Sequence, residues 1–370
     1  MNTEEQFDIV VVGGGIVGIT TAINLQNKYP KVKITIVTEI LSPYTTGDGS
    51  AGLWMPYLCG STPIEKMLEW SIPTLNLLHK LWRSELAETT GVSFVPVIYL
   101  KEKDDITPKW ISSCHGSCDL APDLLQKLGK EHGRSYREGT MFTSFTCEPT
   151  KLLPYLLRQF FQNGGKLIYS RVTSLSEVTE KYSDKTKKAN VIVNCCGLGA
   201  RTIVSDDEVY PTRGQVQRVH APWQFHTIFS EANYIIPNHN AVILGGTAQK
   251  NDYSTEVYEE DTKTIFNGCS ELVPGLKNSS KLQEWVGLRP ARDSVRLELD
   301  KTSSKYVTDN NKKLILIHNY GHGGSGVTLS WGCAINVTNL LENALIDLSL
   351  SSSTKSKQQE DTFSNIRSRL

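Results

Sequence analysis

The alternation of apolar and polar positions predicts a strand–helix–strand unit near the start of the chain. Residues 9–12 form an apolar run suited to a buried strand, and residues 19–28 form an amphipathic run that ends before Pro30. Residues 32–37 form a second apolar run. Short apolar runs on either side of a helix-length amphipathic stretch are typical of parallel strands joined by a crossover helix. The pattern therefore predicts an α/β fold.

The middle of the chain carries both helical and strand periodicity. Residues 64–82 and 152–163 repeat apolar positions at helical spacing, and residues 189–200 form an apolar strand that ends in small residues. Residues 207–250 alternate as in an antiparallel sheet, with Asn238-His239-Asn240 at a hairpin turn. Residues 350–367 are polar and of low complexity, which predicts a flexible tail.

A glycine motif lies between the first predicted strand and the first helix. Gly13 permits a tight turn, Gly15 lets the backbone approach a pyrophosphate, and Gly18 lets the helix pack closely on the strand. The helix N-terminus offers free N–H groups to the phosphates. Glu39 ends the second strand, where it can accept hydrogen bonds from ribose hydroxyls. These features predict a dinucleotide site and do not by themselves distinguish NAD from FAD.

A second glycine-rich stretch lies near the other end of the chain. An apolar strand over residues 314–318 leads into four glycines within residues 321–326, and residues 327–341 are compatible with a helix. Backbone N–H groups at such a helix start can stabilise the negative charge of a reduced flavin. We interpret this loop as a cradle for a flavin ring. Two features favour FAD: a long cofactor can be held from both ends of the chain, and residues 189–200, ANVIVNCCGLGA, resemble the second small-residue motif of flavoproteins with two dinucleotide folds.

Composition and charge narrow the class of protein. The chain has 370 residues, with 39 Lys and Arg balanced by 39 Asp and Glu. A chain without net charge or a long apolar run is not expected to bind nucleic acid or to enter a membrane. Its 8 cysteines are scattered, so we expect free thiols and no metal site.

Five pieces of the sequence together resemble the family of D-amino acid oxidases and D-aspartate oxidases. They are VVVGGGIVG, PYTTGDGSAGLWMPY, YPTRGQV, VGLRPARDSVRLE and HNYGHGGSGVTLSWG, in the family's order from about residue 7 to residue 345. The resemblance implies an α/β fold, with a Rossmann-type FAD-binding domain that is split in sequence and an α+β substrate or interface domain built on an antiparallel sheet. It places the FAD-binding domain at residues 1–58, 146–200 and 285–349, the substrate domain at 59–145 and 201–284, and the tail at 350–370.

The resemblance also implies four substrate contacts. Arg289 would hold the substrate carboxylate through two parallel hydrogen bonds, as the planar guanidinium group allows. The hydroxyl of Tyr234 would share that carboxylate, and the carbonyl of Gly324 would accept from the substrate amine. Tyr57 would line the pocket, at a position where the D-aspartate oxidase branch tends to have histidine.

For FAD, the resemblance implies contacts at positions that match the family's motifs. Besides Gly13, Gly15, Gly18 and Glu39, these are Ile16, Val17, Ile40, Thr45, Thr46, Gly47, Ala51, Gly52, Leu53, Val172, Cys196, Gly323, Gly324, Ser325, Gly326, Val327 and Thr328. Position 40 departs from the family, because Ile40 replaces a residue that is frequently polar or basic. This change removes one adenosine contact and leaves the pyrophosphate contacts in place.

The family's reaction relies on orientation and on the cofactor, so no separate catalytic side chain is expected. Hydride would pass from the substrate Cα to flavin N5, and the imino acid would hydrolyse to a 2-oxo acid and ammonia. Oxygen would then reoxidise the flavin and yield hydrogen peroxide. The alternatives are an amine oxidase that acts on glycine or sarcosine, and a flavin-binding protein without catalysis.

The sequence leaves open whether the substrate is acidic or neutral. Overall resemblance favours D-aspartate oxidase, with D-aspartate, D-glutamate and N-methyl-D-aspartate as substrates. The family arginines that read an acidic side chain are absent, however, at Ala248 and within residues 222–233. Four cations could substitute for them: Arg218, His226, His239 and Lys250. A neutral side chain, as in D-alanine or D-proline, would instead suit Leu53, Trp54, Met55 and Tyr57.

The last three residues, Ser368-Arg369-Leu370, are similar to the peroxisomal address S-K-L. We therefore expect import into the peroxisome matrix through the receptor that reads this tripeptide. Such a location would place an enzyme that makes peroxide beside catalase. Family members are often dimers, so the resemblance also suggests a homodimer.

Overall fold

Strands from all parts of the chain join in one mixed sheet. The computed structural model describes residues 7–103, 108–184, 186, 189–231, 233–300 and 313–367. The strands are β1 Phe7–Val12, β2 Ile34–Thr38, β3 Ser93–Lys101, β4 His115–Asp119, β5 Glu138–Thr146, β6 Lys166–Tyr169, β7 Ala189–Asn194, β8 Tyr210–His220, β9 Thr227–Ser230, β10 Asn233–Pro237, β11 Val242–Gly245, β12 Gln249–Lys250, β13 Ser280–Leu299 and β14 Lys313–His322. The helices are α1 Ile16–Lys28, α2 Ile64–Trp82, α3 Ala87–Thr90, α4 Pro122–His132, α5 Pro149–Gln162, α6 Leu175–Lys181, α7 Ala200–Ile203, α8 Glu259–Leu272 and α9 Gly326–Arg367.

One half of the sheet is parallel and contains the predicted N-terminal unit. Strands β14, β7, β1, β2 and β6 lie side by side, and each neighbouring pair is parallel. Every residue of β1 and β2 is buried, which explains why both are apolar without alternation. The predicted strand at 9–12 and the predicted helix at 19–28 are confirmed. The helix begins three residues earlier than predicted, at Ile16, with Gly15 as its N-cap.

The other half of the sheet is mainly antiparallel. Strands β8, β11, β10 and β9 pair in antiparallel succession, and β3 and β5 extend the sheet beyond β9. The predicted hairpin joins β10 to β11, and the N–H of Asn238 donates to the carbonyl of Ala241 at 2.8 Å. The long strand β13 pairs with β8 along its first part and with β14 along its last part. It therefore links the two halves, and the α/β class with an antiparallel second region is confirmed.

Helix α9 is longer than the sequence indicates. It begins at Gly326 in the late glycine loop and packs against α1 and α2. The backbone is helical as far as Arg367, whereas the sequence predicts a flexible tail from residue 350. Within this stretch Lys355, Lys357, Gln358, Gln359 and Glu360 favour helix, although the serines around them give it a polar, low-complexity composition. Ser368, Arg369 and Leu370 lie outside the described residues.

The helices give no sign of a membrane span. Among those that the structure describes, none combines the length and the apolar composition that crossing a bilayer requires. The domain boundaries given above stay predictions, since both halves share one sheet.

Candidate active site

A cleft of about 420 Å³ opens at the carboxyl ends of the parallel strands β1, β2, β7 and β14. Ligands of open α/β sheets bind at this edge. Gly15 and Ile16 at the start of α1, and Gly326 at the start of α9, all line the cleft. A Cβ on Gly326 would lie 3.8 Å from Cγ2 of Ile16, so the two helix starts are close together. Two helix N-termini with free N–H groups suit a long anionic ligand.

The first glycine motif has the shape that its predicted role requires. Gly13 has a φ of +109°, and a Cβ there would collide with the carbonyl oxygen of Cys195. A Cβ on Gly18 would collide with the carbonyl oxygen of Gly13, so α1 packs directly on the turn. Gly15 differs, because a Cβ there would meet no atom within 4 Å. This open side of the helix start leaves room for a phosphate group.

Glu39 lies at one end of the cleft, where β2 finishes. Its carboxylate is 3.7 Å from Nε of Arg171, which also lines the cleft and which the sequence analysis did not identify. Ile40 is exposed nearby and offers no side-chain hydrogen bond there. A half-exposed carboxylate at this position is suited to accept from ribose hydroxyls.

Two buried polar atoms belong to residues that line the cleft and have no hydrogen-bond partner in the described part of the chain. They are Nε2 of His322 and Oδ1 of Asn319. Burial lowers the pKa of His322 to about 4, so its imidazole is neutral near pH 7. Buried polar atoms are normally paired. A polar ligand in the cleft would satisfy such atoms.

Most of the predicted cofactor contacts line this cleft. They are Gly13, Gly15, Ile16, Val17, Glu39, Ile40, Thr45, Thr46, Gly47, Val172, Cys196, Gly323 and Gly326. Three others line an adjoining cavity: Ala51, Leu53 and Gly324. The remaining ones are not among the lining residues of either: Gly18, Gly52, Ser325, Val327 and Thr328. Val327 is buried in the core, and Gly52 packs against the carbonyl of Cys147, so both support the site from behind.

The adjoining cavity has a volume of about 90 Å³, and Thr46 lines both spaces. Its walls are contributed by β8, β9, β10 and β13 and by the segment at residues 49–57. Apolar and aromatic side chains dominate: Leu53, Met55, Tyr57, Val216, Phe229, Tyr234, Ile236 and Trp285. Among the described residues that line it, Arg289 alone carries a charge.

Arg289 reaches this cavity from β13. Its guanidinium group lies flat against the backbone of Gly214 on β8, where any Cβ would collide with it. Nη1 donates to the carbonyl of Thr247 at 2.9 Å, and the Tyr57 ring centre lies 5.9 Å from Cζ. No Asp or Glu within the described ranges forms an ion pair with Arg289. A cation in an apolar cavity with unused donors is suited to bind a carboxylate.

Three of the other arginines on β8 and β13 are ion-paired. Arg213 is fully buried, and its Nη1 lies 2.8 Å from Oδ2 of Asp261. Arg292 and Arg296 share Asp206, at 3.1 and 3.3 Å. Carboxylates of the protein therefore compensate the charges of these three arginines, whereas Arg289 has no such partner among the described residues.

Tyr234 lies next to Arg289 in the wall of the cavity. Its ring packs against Gly245 and Gly246, and it stacks on Phe229 with ring centres 5.1 Å apart. Burial raises the pKa of Tyr234 to about 12, although the positive charge of Arg289 opposes this rise. The phenol therefore keeps its proton near pH 7 and can donate a hydrogen bond.

Tyr57 and Gly324 complete the set of predicted substrate contacts. A Cβ on Gly324 would lie 2.6 Å from Cδ1 of Tyr57, so only glycine allows this close approach. The ring of Tyr57 meets Phe229 edge to face, with centres 6.2 Å apart. The structure therefore brings Arg289, Tyr234, Tyr57 and Gly324 together in one cavity.

The four cations that could have read an acidic side chain do not line this cavity. Arg218 instead donates to the side chain of Gln283 and to the carbonyl of Asp48, both at 2.8 Å. The other three have exposed side chains: His226, His239 and Lys250.

Sequence reasoning missed much of the cavity wall, namely Val216, Phe229, Ile236 and Trp285. They lie on four different strands, and a single apolar residue on a strand looks the same whether it faces a cavity or the core. Trp54, which the sequence grouped with the pocket, is fully buried, and its Nε1 donates to the carbonyl of Ser71 at 2.9 Å.

The sequence matches the family model described as FAD dependent oxidoreductase over residues 8–340. The chain therefore belongs to this family, and its cofactor is FAD. The site fits the group, since two helix N-termini face the cleft and a carboxylate lies where the ribose of a dinucleotide binds. The late glycine loop borders the same space.

Two relatives indicate the type of reaction. A D-amino acid oxidase from Dugesia ryukyuensis is 36% identical over 344 residues, which cover 92% of this chain and 99% of that protein. A D-aspartate oxidase from Homo sapiens is 32% identical and covers 91% of this chain and 95% of that protein. The protein is thus an FAD-dependent oxidoreductase with a function like that of D-amino acid and D-aspartate oxidases.

The fold is also shared with solved structures of low sequence identity. Glycine oxidase from Bacillus cereus ATCC 14579 superposes with a TM-score of 0.69 at 18% identity, covering 92% of this chain and 96% of that one. This likeness concerns the fold alone.

Proposed function

We propose that the protein is an FAD-dependent oxidase of neutral D-amino acids. The observation that carries the proposal is the lining of the 90 Å³ cavity, where Arg289 is the one charged group among the described lining residues and the other side chains, apart from Thr46 and Ser50, are apolar or aromatic. Arg289 is needed for the α-carboxylate of any amino acid substrate. A second carboxylate would be buried beside Phe229 and Trp285 without a cation of its own. Burying an unpaired carboxylate costs on the order of several kcal/mol.

The residues of the cavity bind and orient the substrate. Arg289 and the hydroxyl of Tyr234 hold the α-carboxylate, and the carbonyl of Gly324 accepts a hydrogen bond from the amine. When bound, FAD supplies the acceptor for the hydride that leaves Cα. Tyr57 and Phe229 surround the substrate with apolar surface and exclude water from it. The carboxylate contacts, the amine contact and the apolar wall around the side chain place three substituents of Cα, so that one face of the substrate is presented, which accounts for selection of the D-enantiomer.

An acidic substrate is the second candidate. The D-aspartate oxidase from Homo sapiens is 32% identical over 91% of this chain, against 36% over 92% for the D-amino acid oxidase from Dugesia ryukyuensis, so the relatives support either branch. The cavity opposes it, because Arg289 is the one cation among its described lining residues. Arg218 lies behind the wall, 5.7 Å from the centre of the Trp285 ring, and donates to Gln283 and to the carbonyl of Asp48, and Ala248 carries no charge. We therefore place neutral substrates first.

The test is oxygen consumption by the purified FAD-loaded protein with D-alanine, D-proline, D-phenylalanine, D-aspartate, D-glutamate, glycine and the L-enantiomers. We expect kcat/KM for the best neutral D-amino acid to exceed that for D-aspartate at least about a hundredfold, as an unpaired buried carboxylate implies. A preference for D-aspartate would refute the proposal for neutral substrates. Activity with glycine alone would place the protein with glycine-type amine oxidases.

Two further expectations rest on the sequence and family alone. The peroxisomal address at Ser368-Arg369-Leu370 stays a prediction, which fluorescence of a tagged chain with and without the tripeptide would test. The homodimer also stays a prediction, and light scattering of the FAD-loaded protein would test it.

A further inference from the structure

The start of α9 is connected to the substrate cavity by hydroxyl groups. Ser325 is fully buried, and its hydroxyl donates to the carbonyl of Tyr57 at 2.8 Å. The N–H of the same tyrosine donates back to Oγ of Ser325 at 2.6 Å. The thiol of Cys59 adds a third contact to this oxygen, at 3.1 Å. One side chain therefore pairs both backbone groups of a residue that lines the cavity.

A second hydroxyl repeats the arrangement one turn further along α9. Thr328 donates to the carbonyl of Met55 at 3.1 Å and accepts from its N–H at 3.3 Å. Residues two apart on an extended segment direct their backbone groups to the same side, and residues three apart share one side of a helix. Ser325 and Thr328 thus pair with the backbone N–H and carbonyl groups of Tyr57 and Met55, as a neighbouring β-strand would.

These contacts determine where the ring of Tyr57 lies. The ring is bordered by Gly324 on one side, where a Cβ would approach Cδ1 to 2.6 Å, and by Phe229 on another. The guanidinium carbon of Arg289 lies 5.9 Å from the ring centre. A shift of the Tyr57 backbone would therefore change the space beside the group that binds the carboxylate.

We propose that Ser325 is a positioning residue for substrate binding, which acts through the backbone of Tyr57. The family resemblance suggests that Ser325 contacts the cofactor, but in the structure its hydroxyl hydrogen-bonds to the backbone of Tyr57, which lines the cavity. The inference deepens the proposed function and rests on it. It assigns to Ser325 an effect on substrate affinity that is separate from FAD binding.

The test compares Ser325→Ala with Ser325→Thr, which keeps a hydroxyl, and with Ser330→Ala as a matched control. Ser330 is also buried in α9, but its hydroxyl donates only within the helix, to the carbonyl of Val327 at 3.2 Å. We expect Ser325→Ala to raise KM for a neutral D-amino acid about tenfold, because two buried backbone groups lose their partner. The kcat and the FAD dissociation constant, from flavin fluorescence, should change less than about threefold. Ser325→Thr should restore KM at least in part, and Ser330→Ala should behave as wild type.

A double-variant cycle separates positioning from general loss of packing. In a Tyr57→Ala background, Ser325→Ala should raise KM by less than about twofold, since the ring that it positions is gone. Equal effects in both backgrounds would overturn the proposal. So would an unchanged KM in Ser325→Ala, or loss of FAD binding in that variant while Ser325→Thr and Ser330→Ala retain FAD.

Binding of benzoate to the FAD-loaded protein keeps the inference testable apart from turnover. Benzoate carries a carboxylate for Arg289 and a ring for the aromatic wall, and its binding is read from the flavin absorbance spectrum. We expect its dissociation constant to rise about tenfold in Ser325→Ala, in line with the loss of those hydrogen bonds. Absence of D-amino acid turnover in the wild type would contradict the proposed function alone. Equal benzoate affinities, or no detectable benzoate binding to wild type, would contradict the inference.

Discussion

Replacing Arg289 tests the binding of the substrate carboxylate. Arg289→Met keeps much of the length of the side chain and removes the charge and all its donors. Arg289 lines the cavity, its Nη1 donates to Thr247, and it forms no ion pair in the described part of the chain. A hydrogen bond to a charged group contributes about 1.5–3 kcal/mol.

Two such hydrogen bonds to a carboxylate give about 3–6 kcal/mol, or a factor of about 10² to 10⁴ in kcat/KM. We expect the lower part of this range, because removing the arginine also removes its own burial cost. Arg289→Lys should lie between wild type and Arg289→Met, since it keeps the charge and loses the planar pair of donors.

The assay is steady-state oxygen consumption with the best neutral D-amino acid, together with FAD titration of the apoprotein. Arg289 lines the small cavity and not the large cleft, so FAD affinity should stay within about threefold of wild type. A fall in kcat/KM of less than about tenfold, or a loss confined to FAD affinity, would refute the assignment of Arg289 to the carboxylate.

Three further substitutions test neighbouring parts of the account. Tyr234→Phe removes one hydroxyl donor to the carboxylate, and kcat/KM should fall about 10- to 100-fold with the thermal midpoint nearly unchanged; an unchanged kcat/KM would exclude that role. Gly214→Ala places a Cβ against the guanidinium of Arg289, so KM should rise while FAD affinity is kept, and equal KM values would contradict the close packing. His322 has its pKa lowered to about 4 by burial, so the unfolded chain takes up a proton between about pH 6.5 and 4 that the folded chain does not. Above about pH 6.5 the imidazole is neutral in both states, and as the pH falls towards 4 the free energy of unfolding decreases by up to about 3 kcal/mol. Urea unfolding of His322→Asn should therefore show a flatter pH dependence than wild type, and parallel curves would contradict this.

The FAD site could be predicted largely from the sequence because its signals are local. The strand, Gly13, Gly15 and Gly18 follow one another in a single βα turn; Gly13 and Gly18 fulfil steric requirements that the structure shows, and Gly15 leaves the helix start open. Glu39 follows at the end of the next strand, as parallel pairing requires. Local backbone geometry of this kind leaves a readable pattern of residue types.

The wall of the substrate cavity could not be predicted in the same way. Val216, Phe229, Ile236 and Trp285 come from separate strands, and only the sheet register brings them together. Side chains on a strand alternate between faces, but this does not show which apolar face borders a cavity. Because the sequence does not reveal the cavity wall, the expectation of an acidic substrate depended on overall resemblance to D-aspartate oxidases.

Hydroxyl groups at the start of α9 show a further limit of sequence reasoning. Ser325 and Thr328 occupy positions that match cofactor contacts in the family, and the structure directs their side chains to Met55 and Tyr57 instead. Ser325 lies 268 residues after Tyr57 in the sequence, and Thr328 lies 273 residues after Met55. No periodicity or spacing in the sequence reports a contact of that range.

The most direct test of the central claim is anaerobic reduction of the bound flavin by single D-amino acids. The FAD-loaded protein would be mixed with D-alanine, L-alanine or D-aspartate, and the loss of flavin absorbance followed in time. We predict rapid bleaching with D-alanine, none with L-alanine, and an apparent affinity for D-aspartate that is weaker at least about a hundredfold. Faster bleaching at lower concentration with D-aspartate would contradict the claim that an apolar cavity with Arg289 as its charged group selects a neutral D-amino acid.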